Sequence, residues 1–363
     1  MTGAARARIS LAAWRQNLAV ARRAARGARV MAAIKADGYG HGLIAAARAL
    51  SGADAFAVAR MDEAVALRNA GFAHRIVLLE GVFSAEQMQA AQSRRLDLVI
   101  HDPVQLGLLE NGDPRRPVTV WIKVDSGMHR LGFLPEEVPD VIERLQGMRA
   151  VAESPALLTH LANADARDEA VTATQIAAFD RAAQGISGPR SIANSAGLLW
   201  YPDSLADWVR PGIMLYGVSP FVGGRASEEG LQPVMTLTSE LIAVKHLRAG
   251  DPVGYGGTWC LPGDSRIGVV AIGYGDGYPR HAPSGTPVLV NDRRVPLVGR
   301  VSMDMLSVDL GPQGEEQPGD PVTLWGDGLA VEEIAEQAGT IAYELLCCVT
   351  SRVPRSYVHE GAD

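Results

Sequence analysis

Short apolar, β-branched runs recur along the first two thirds of the chain, alternating with longer stretches whose apolar residues return every three or four positions. Such a run suits a strand buried on both faces, and the 3.6-residue period suits a helix that covers it, so the alternation predicts repeated βα units and a parallel sheet. The runs fall at 30–34, 55–59, 76–79, 96–100, 118–124, 156–159, 191–193 and 208–215, and the helical stretches at 11–25, 61–70, 85–93, 136–145 and 170–183. Eight strands with helices between them predict a (β/α)8 TIM barrel.

Past Gln232 the texture changes to Thr/Val-rich runs broken by Gly, Pro, Asn and Asp, as in 287–290, Asn291-Asp292 and 294–301. That pattern reads as hairpins of a mainly antiparallel β domain. The predicted organisation is a barrel over 1–232 and a β domain over 233–363, with one helical segment at 331–347. A length of 363 residues agrees with two cores, since single cores stop growing near ~250–300 residues.

Composition removes several function classes. With a net charge of −7 and its arginines between 15 and 29 spaced among alanines like a solvated helix face, the chain carries no nucleic-acid footprint. No apolar run reaches the ~18 residues of a membrane span, and the opening MTGAARARIS lacks the core of a secretory signal, so a cytoplasmic protein is expected. Cys260, Cys347 and Cys348 are too few and wrongly spaced for a disulfide framework or a Cys-x-x-Cys metal site, and read as small core residues.

The first candidate for chemistry is Lys35, which ends the run VMAAIK and precedes the glycine-rich ADGYGHG. In a barrel the C-terminal ends of the strands build the active site. A lysine among apolar neighbours has its charged form disfavoured, which prepares a free amine for a Schiff base. On this segment alone, a strand-end lysine reaching back to water is the simpler reading. His160 closes ALLTH with no second histidine or carboxylate at ligand spacing, so no metal is expected.

Taken whole, AAIKADGYGHG resembles the cofactor-lysine motif of alanine racemases, with Gly38 where that family often has another small residue. Further matches follow in KVDSGMHRLGF (123–133), LTHLANAD (158–165), ANSAG (193–197), VRPGIMLYG (209–217), VGYGGTW (253–259), IGYGDGYPR (272–280), GRVSMDM (299–305) and AYELLC (342–347). The resemblance spans nearly the entire chain.

It implies pyridoxal 5′-phosphate carried by Lys35, with Tyr39, Ser195, Gly212, Ile213 and Tyr343 around its phosphate, His160 stacked on its ring and Arg210 against its ring nitrogen. A fixed cation at that nitrogen keeps it unprotonated, which weakens the electron sink and limits side reactions. Arg130 is implied beside the substrate carboxylate, which its planar fork suits. Lys123 is implied as its orienting partner and, once carbamylated by carbon dioxide, as a carboxylate-like anion.

Racemisation needs a base on each face of a planar carbanion, and the resemblance assigns these to Lys35 and Tyr255. Read without it, Tyr255 would be one more packing tyrosine, and Met303 gap-filling core. The family's β domain reaches the partner's barrel, so a homodimer with composite sites is implied, presenting Tyr255, Tyr274, Met303 and Asp304 across the interface. Tyr343 and Tyr274 would leave room for a methyl-sized side chain, hence L-alanine and D-alanine as substrates and a role in peptidoglycan supply. The alternatives are a racemase of broader specificity (serine, lysine or arginine), a decarboxylase of the same architecture, in which an acidic residue stands where Arg210 does, and a non-catalytic pyridoxal-phosphate carrier, which would lack the β domain.

Overall fold

The computed structural model describes residues 5–167 and 169–359. Strand β1 (Arg6–Ser10) leads into helix Leu11–Ala24, and a closed parallel barrel follows. Its strands are β2 (Arg29–Ala33), β3 (Ala55–Val58), β4 (Arg75–Leu78), β5 (Asp97–Ile100), β6 (Val120–Lys123), β7 (Ala156–Leu158), β8 (Arg190–Ser191) and β9 (Trp208–Val209). Closure runs through the β2–β9 pairing, Arg29 to Trp208 and Val30 to Val209.

The barrel is filled by alternate residues of its strands, Met31, Ala55, Ala57, Val77, Val99, Trp121, Ala156, Leu158 and Trp208. Small alanines near the start of the barrel face two bulky indoles, Trp121 and Trp208, whose rings meet edge-on at 5.9 Å. This interior is solid, so the mouth at the strand C-termini is where chemistry can be housed.

The eight apolar runs all become barrel strands, but the last is shortened. After Val209, Pro211 and Gly212 end the extended backbone, and Ile213–Tyr216 forms a 3-10 turn. Proline cannot donate to the ladder, so the strand stops there. Helices Leu43–Ala49, Pro103–Glu110 and Ser195–Trp200, which periodicity does not single out, are short. Each holds too few turns for a pattern to stand out.

The second domain is a twisted sheet of β10 (Met235–Leu247), β13 (Ser265–Val270), β14 (Pro287–Val290), β15 (Arg293–Val298), β16 (Leu306–Gly311), β17 (Pro321–Trp325) and β18 (Arg355–Val358), with a small hairpin of β11 (Pro252–Val253) and β12 (Trp259–Cys260). The turn between β14 and β15 is Asn291-Asp292, both at positive φ (48° and 61°), the conformation a two-residue hairpin demands. The helical segment is two helices, Val331–Ala338 and Ala342–Cys348, because Gly339 at φ 68° turns left-handed and stops the first.

One element departs from the expected boundary. Strand β1 is not barrel: it lies between β10 and β18, antiparallel to the first and parallel to the second. The sheet therefore draws its strands from both ends of the chain. Buried Asn17 ties the first helix to the segment that follows β9, donating to the Leu215 and Gln232 carbonyls (3.2 and 2.8 Å) and accepting from the Gln232 N–H (2.9 Å).

Candidate active site

A cavity of about 660 Å³ opens at the barrel mouth, within the usual range for small-molecule sites. Lys35 stands at its floor, one residue past Ile34, whose N–H is still held by the Ala57 carbonyl at 3.0 Å. The backbone then does something rare. Ala36, Asp37 and Gly38 have φ/ψ of (54°, 52°), (53°, 45°) and (61°, 46°), Tyr39 has φ 51°, and Gly40 caps them at φ 78°.

This is one turn of left-handed helix, closed by Gly38 N–H to the Ile34 carbonyl (3.0 Å) and Gly40 N–H to the Ala36 carbonyl (2.9 Å). Each L-residue in that conformation costs ~1–2 kcal/mol, so Ala36, Asp37 and Tyr39 stay there only because their surroundings hold them. Ala36 N–H donates to Glu63 Oε1 at 2.6 Å, and Leu43 N–H to Asp37 Oδ1 at 2.8 Å.

The turn swings Tyr39 inward, stacked on Tyr216 with centroids 4.5 Å apart. Its hydroxyl reaches Gly212 so closely that a Cβ there would lie 2.5 Å from it. Only glycine lets this hydroxyl in. The Gly212 N–H donates to Ser195 Oγ at 2.8 Å, so two hydroxyls and the start of the 213–216 turn converge on one spot. Burial raises the Tyr39 and Tyr343 phenols above the ordinary tyrosine value, so both remain protonated donors.

Arg210, after β9, is buried, and burial alone pulls its pKa down to about 10. Its Nη1 donates to Ser191 Oγ at 2.6 Å and its Nη2 to the Thr159 and Ile192 carbonyls. Among the described residues no carboxylate pairs with it. It is a clamped, uncompensated cation in the cavity wall.

His160 is half-buried beside it, its pKa lowered to about 3 by burial and by Arg210, Lys123, Arg130 and Lys35, in that order. The ring is therefore neutral at physiological pH. Lys123, at the end of β6, is lowered to about 8, mainly by burial and then by Arg130 and Arg210. Asp125 Oδ1 accepts from the N–H groups of Gly127, Met128 and His129 (3.1, 3.1 and 3.0 Å) and so shapes the loop that delivers Arg130 to the rim.

Helix Ala342–Cys348 comes from the second domain but lies over this chain's own barrel. Its buried Ala342, Leu345 and Leu346 face the protein, which leaves Tyr343 and Cys347, one turn apart, on the cavity side. The three cysteines are thus not core: all are free and exposed. On this short helix Leu345 and Leu346 take the inward positions, and the neighbouring cysteines fall outside.

Tyr255, Tyr274, Met303 and Asp304 do not join the cavity. They sit on the second domain, with Tyr255 64% and Met303 52% exposed. Tyr274, Met303 and Asp304 share a frame: Tyr274 N–H donates to the Ser302 carbonyl (3.0 Å), Gly275 N–H to the Met303 carbonyl (2.8 Å), and Arg352 grips Asp304 (2.6 Å) and Asp276 (3.4 Å). Tyr216 and Cys347 lie inside matched motifs but carry no local mark of a place at the site; the sequence Arg60-Met-Asp-Glu63 is a helix-start pattern that marks Glu63.

Family models for the alanine racemase N-terminal domain and C-terminal domain match residues 9–220 and 234–357. The chain belongs to the alanine racemase family. It is 56% identical over 359 residues to an alanine racemase of Halorhodospira halophila, covering 99% of each chain, and 53% identical over 348 residues to one from Shewanella woodyi, covering 96% of this chain and 97% of the other. Among solved structures, the biosynthetic alanine racemase of Pseudomonas aeruginosa superposes with a TM-score of 0.95 at 46% identity, over 99% of this chain and 100% of that one. The Acinetobacter baumannii alanine racemase does so at 0.93 and 38% identity, over 98% and 100%. Membership in this family accounts for the barrel, the appended sheet and the lysine at the floor of one cavity.

Proposed function

We propose that the protein interconverts L-alanine and D-alanine with pyridoxal 5′-phosphate at the barrel mouth. The observation that carries this reading is Arg210, buried in the cavity wall without a carboxylate and within the same cavity as Lys35. The cavity suits an anionic group: it is lined by Lys35, Lys123, Arg130 and Arg210, and the approach of Tyr39 to Gly212 makes a cradle that any Cβ would fill. When bound, pyridoxal phosphate withdraws electrons from the α-carbon of an attached amino acid and so acidifies its hydrogen.

In this reading Lys35 holds the cofactor and Tyr39, Ser195, Gly212, Ile213 and Tyr343 hold its phosphate. Neutral His160 would flank its ring. Arg210, tied to Ser191 and two carbonyls, would offer a fixed charge to the ring nitrogen. Arg130 takes the substrate carboxylate, and carbamylated Lys123 orients Arg130; the lowered pKa of about 8 favours the neutral amine that reacts with carbon dioxide.

Proton transfer needs a second base, and the cavity offers no tyrosine opposite Lys35 that burial has left easy to ionise. A homodimer supplies one: Tyr255 of the partner subunit serves the face opposite Lys35, with Tyr274, Met303 and Asp304 of the partner subunit closing the entrance. From the D-enantiomer, the Lys35 amine takes the α-proton and the partner's Tyr255 hydroxyl returns one on the opposite face; from the L-enantiomer, the phenolate takes the proton and the Lys35 ammonium returns one. Tyr343 and the partner's Tyr274 leave a methyl-sized space, which selects alanine. Among the described residues no helix is long and apolar enough to cross a membrane. A cytoplasmic enzyme supplying D-alanine to peptidoglycan completes the proposal.

The test is a visible spectrum with added pyridoxal phosphate and an assay of D-alanine formed from L-alanine, for the wild type beside Lys35→Ala. A cofactor band and turnover in the wild type, both lost in the variant, are expected. Absence of any band in the wild type would sink the cofactor reading, and a band without alanine turnover would move the substrate to serine, lysine or arginine.

A further inference from the structure

The left-handed turn after Lys35 raises the question of what holds it. Gly38, Gly40, His41 and Gly42 N–H close it internally on the Ile34, Ala36, Gly38 and Asp37 carbonyls, yet a single turn of this hand has no tendency to persist alone. Three groups from the far end of the chain meet it. Arg355 Nε donates to the Gly40 carbonyl at 2.7 Å, and the Tyr357 hydroxyl donates to the His41 carbonyl at 3.0 Å. The Leu346 carbonyl lies where a Cβ on Gly40 would come within 2.1 Å.

The pattern has a simple origin. Residues 355 and 357 of β18 are two apart, so their side chains leave the same face of the strand. Pairing with β1, Ala7 to Arg355 and Ile9 to Tyr357, fixes the register that brings both to consecutive carbonyls of the turn. Arg355 Nη2 also donates to the Val349 carbonyl at 3.2 Å, at the end of the helix bearing Tyr343, and stands 3.9 Å from Asp37 Oδ2. One guanidinium thus ties the lysine turn to the helix over the cavity, without lining the cavity itself.

We infer that Arg355 and Tyr357 are positioning residues that clamp the left-handed turn and thereby set the placement of Lys35 and Tyr39. The role assigned to those two residues rests on the reading proposed above; the clamp itself does not. It acts by satisfying carbonyls that a left-handed turn leaves pointing outward, and its loss frees residues 36–41 to relax toward ordinary backbone.

The experiment uses the full chain in two states. In the cofactor-free protein, amide hydrogen exchange at Gly38, Gly40 and Gly42 is compared for wild type, Arg355→Ala and Arg355→Lys. The same proteins are then titrated with pyridoxal phosphate by fluorescence, and the pH at which the bound cofactor's visible band changes is recorded. Arg355→Ala should speed exchange at these amides about tenfold, weaken cofactor binding by a similar factor and move that pH, and Arg355→Lys should recover most of each effect.

Unchanged exchange in the turn, or faster exchange spread evenly over the whole chain, overturns the clamp. Should Arg355→Ala not fold, Tyr357→Phe removes one hydroxyl and should speed the same amides about threefold; no change there overturns the clamp equally. If the wild type binds no pyridoxal phosphate, the proposed function falls while the exchange data still decide the clamp.

Discussion

The barrel mouth and the second domain carry the two halves of the proposed composite site in opposite conditions. At the mouth, burial shifts the pKa values of Tyr39, Arg210 and His160, Tyr39 is stacked on Tyr216, and Arg210 is held by Ser191 and two carbonyls. On the second domain, Tyr255, Tyr274 and Met303 are exposed, and backbone bonds to Ser302 and Met303 fix the Tyr274–Gly275 segment. The difference teaches that the mouth is fixed in backbone and side chain alike, whereas the second domain fixes its backbone and leaves these side chains exposed. A face of fixed backbone and free side chains is one prepared to meet another surface.

The largest effect should come from separating the halves. Lys35→Ala and Tyr255→Phe should each lower racemisation by roughly a thousandfold. Mixed and allowed to exchange subunits, they should recover about a quarter of wild-type activity, because half the dimers are mixed and each mixed dimer regains one intact site. No recovery on mixing would mean that both residues serve a site within one chain.

A second contrast is electrostatic. His41, fully buried below the mouth, has its pKa lowered to about 4 by burial, whereas the unfolded chain takes that proton near the ordinary value of 6.5. Its contribution is present above pH 6.5 and is lost as pH falls to about 4, at most on the order of 3 kcal/mol. Urea midpoints measured between pH 7 and 4 should fall more steeply for the wild type than for His41→Phe. Parallel curves would remove His41 as a source of acid sensitivity.

Smaller effects separate cradle from scaffold. Gly212→Ala brings a methyl to 2.5 Å from the Tyr39 hydroxyl and should weaken pyridoxal-phosphate binding about tenfold, read by fluorescence, while moving the melting temperature little. Gly339→Ala meets no neighbour within 4 Å but forces alanine to φ 68°, so it should cost ~1 kcal/mol of stability and leave cofactor affinity unchanged. A reversal of these two outcomes would show that the cradle is structural and the helix break functional.

Most of the barrel is legible in the sequence, because a strand covered on both faces has to be continuously apolar and the chain offers eight such runs. The first strand is not legible. RARIS alternates over only five residues, and nothing local says that its partners lie past residue 230. The left-handed turn is hidden for a different reason. Gly38 and Gly40 permit positive φ, but Ala36, Asp37 and Tyr39 carry no mark of it, and their conformation is imposed by Glu63, Leu346 and Arg355 from elsewhere in the fold. The site residues were named through resemblance: a strand-end lysine, a turn glycine and an exposed tyrosine are each unremarked on local grounds. Only the cavity brings Lys35 together with Arg210.

The position of β1 has a consequence for how the protein is made. Ala7 is translated long before its parallel partner, Arg355. At ~5–20 residues per second the opening strand waits roughly 20–70 s for its neighbour, while the barrel behind it has already emerged. During that interval the nascent chain carries an unpaired strand edge along β1, the kind of surface that chaperones shield, until β18 emerges to close it.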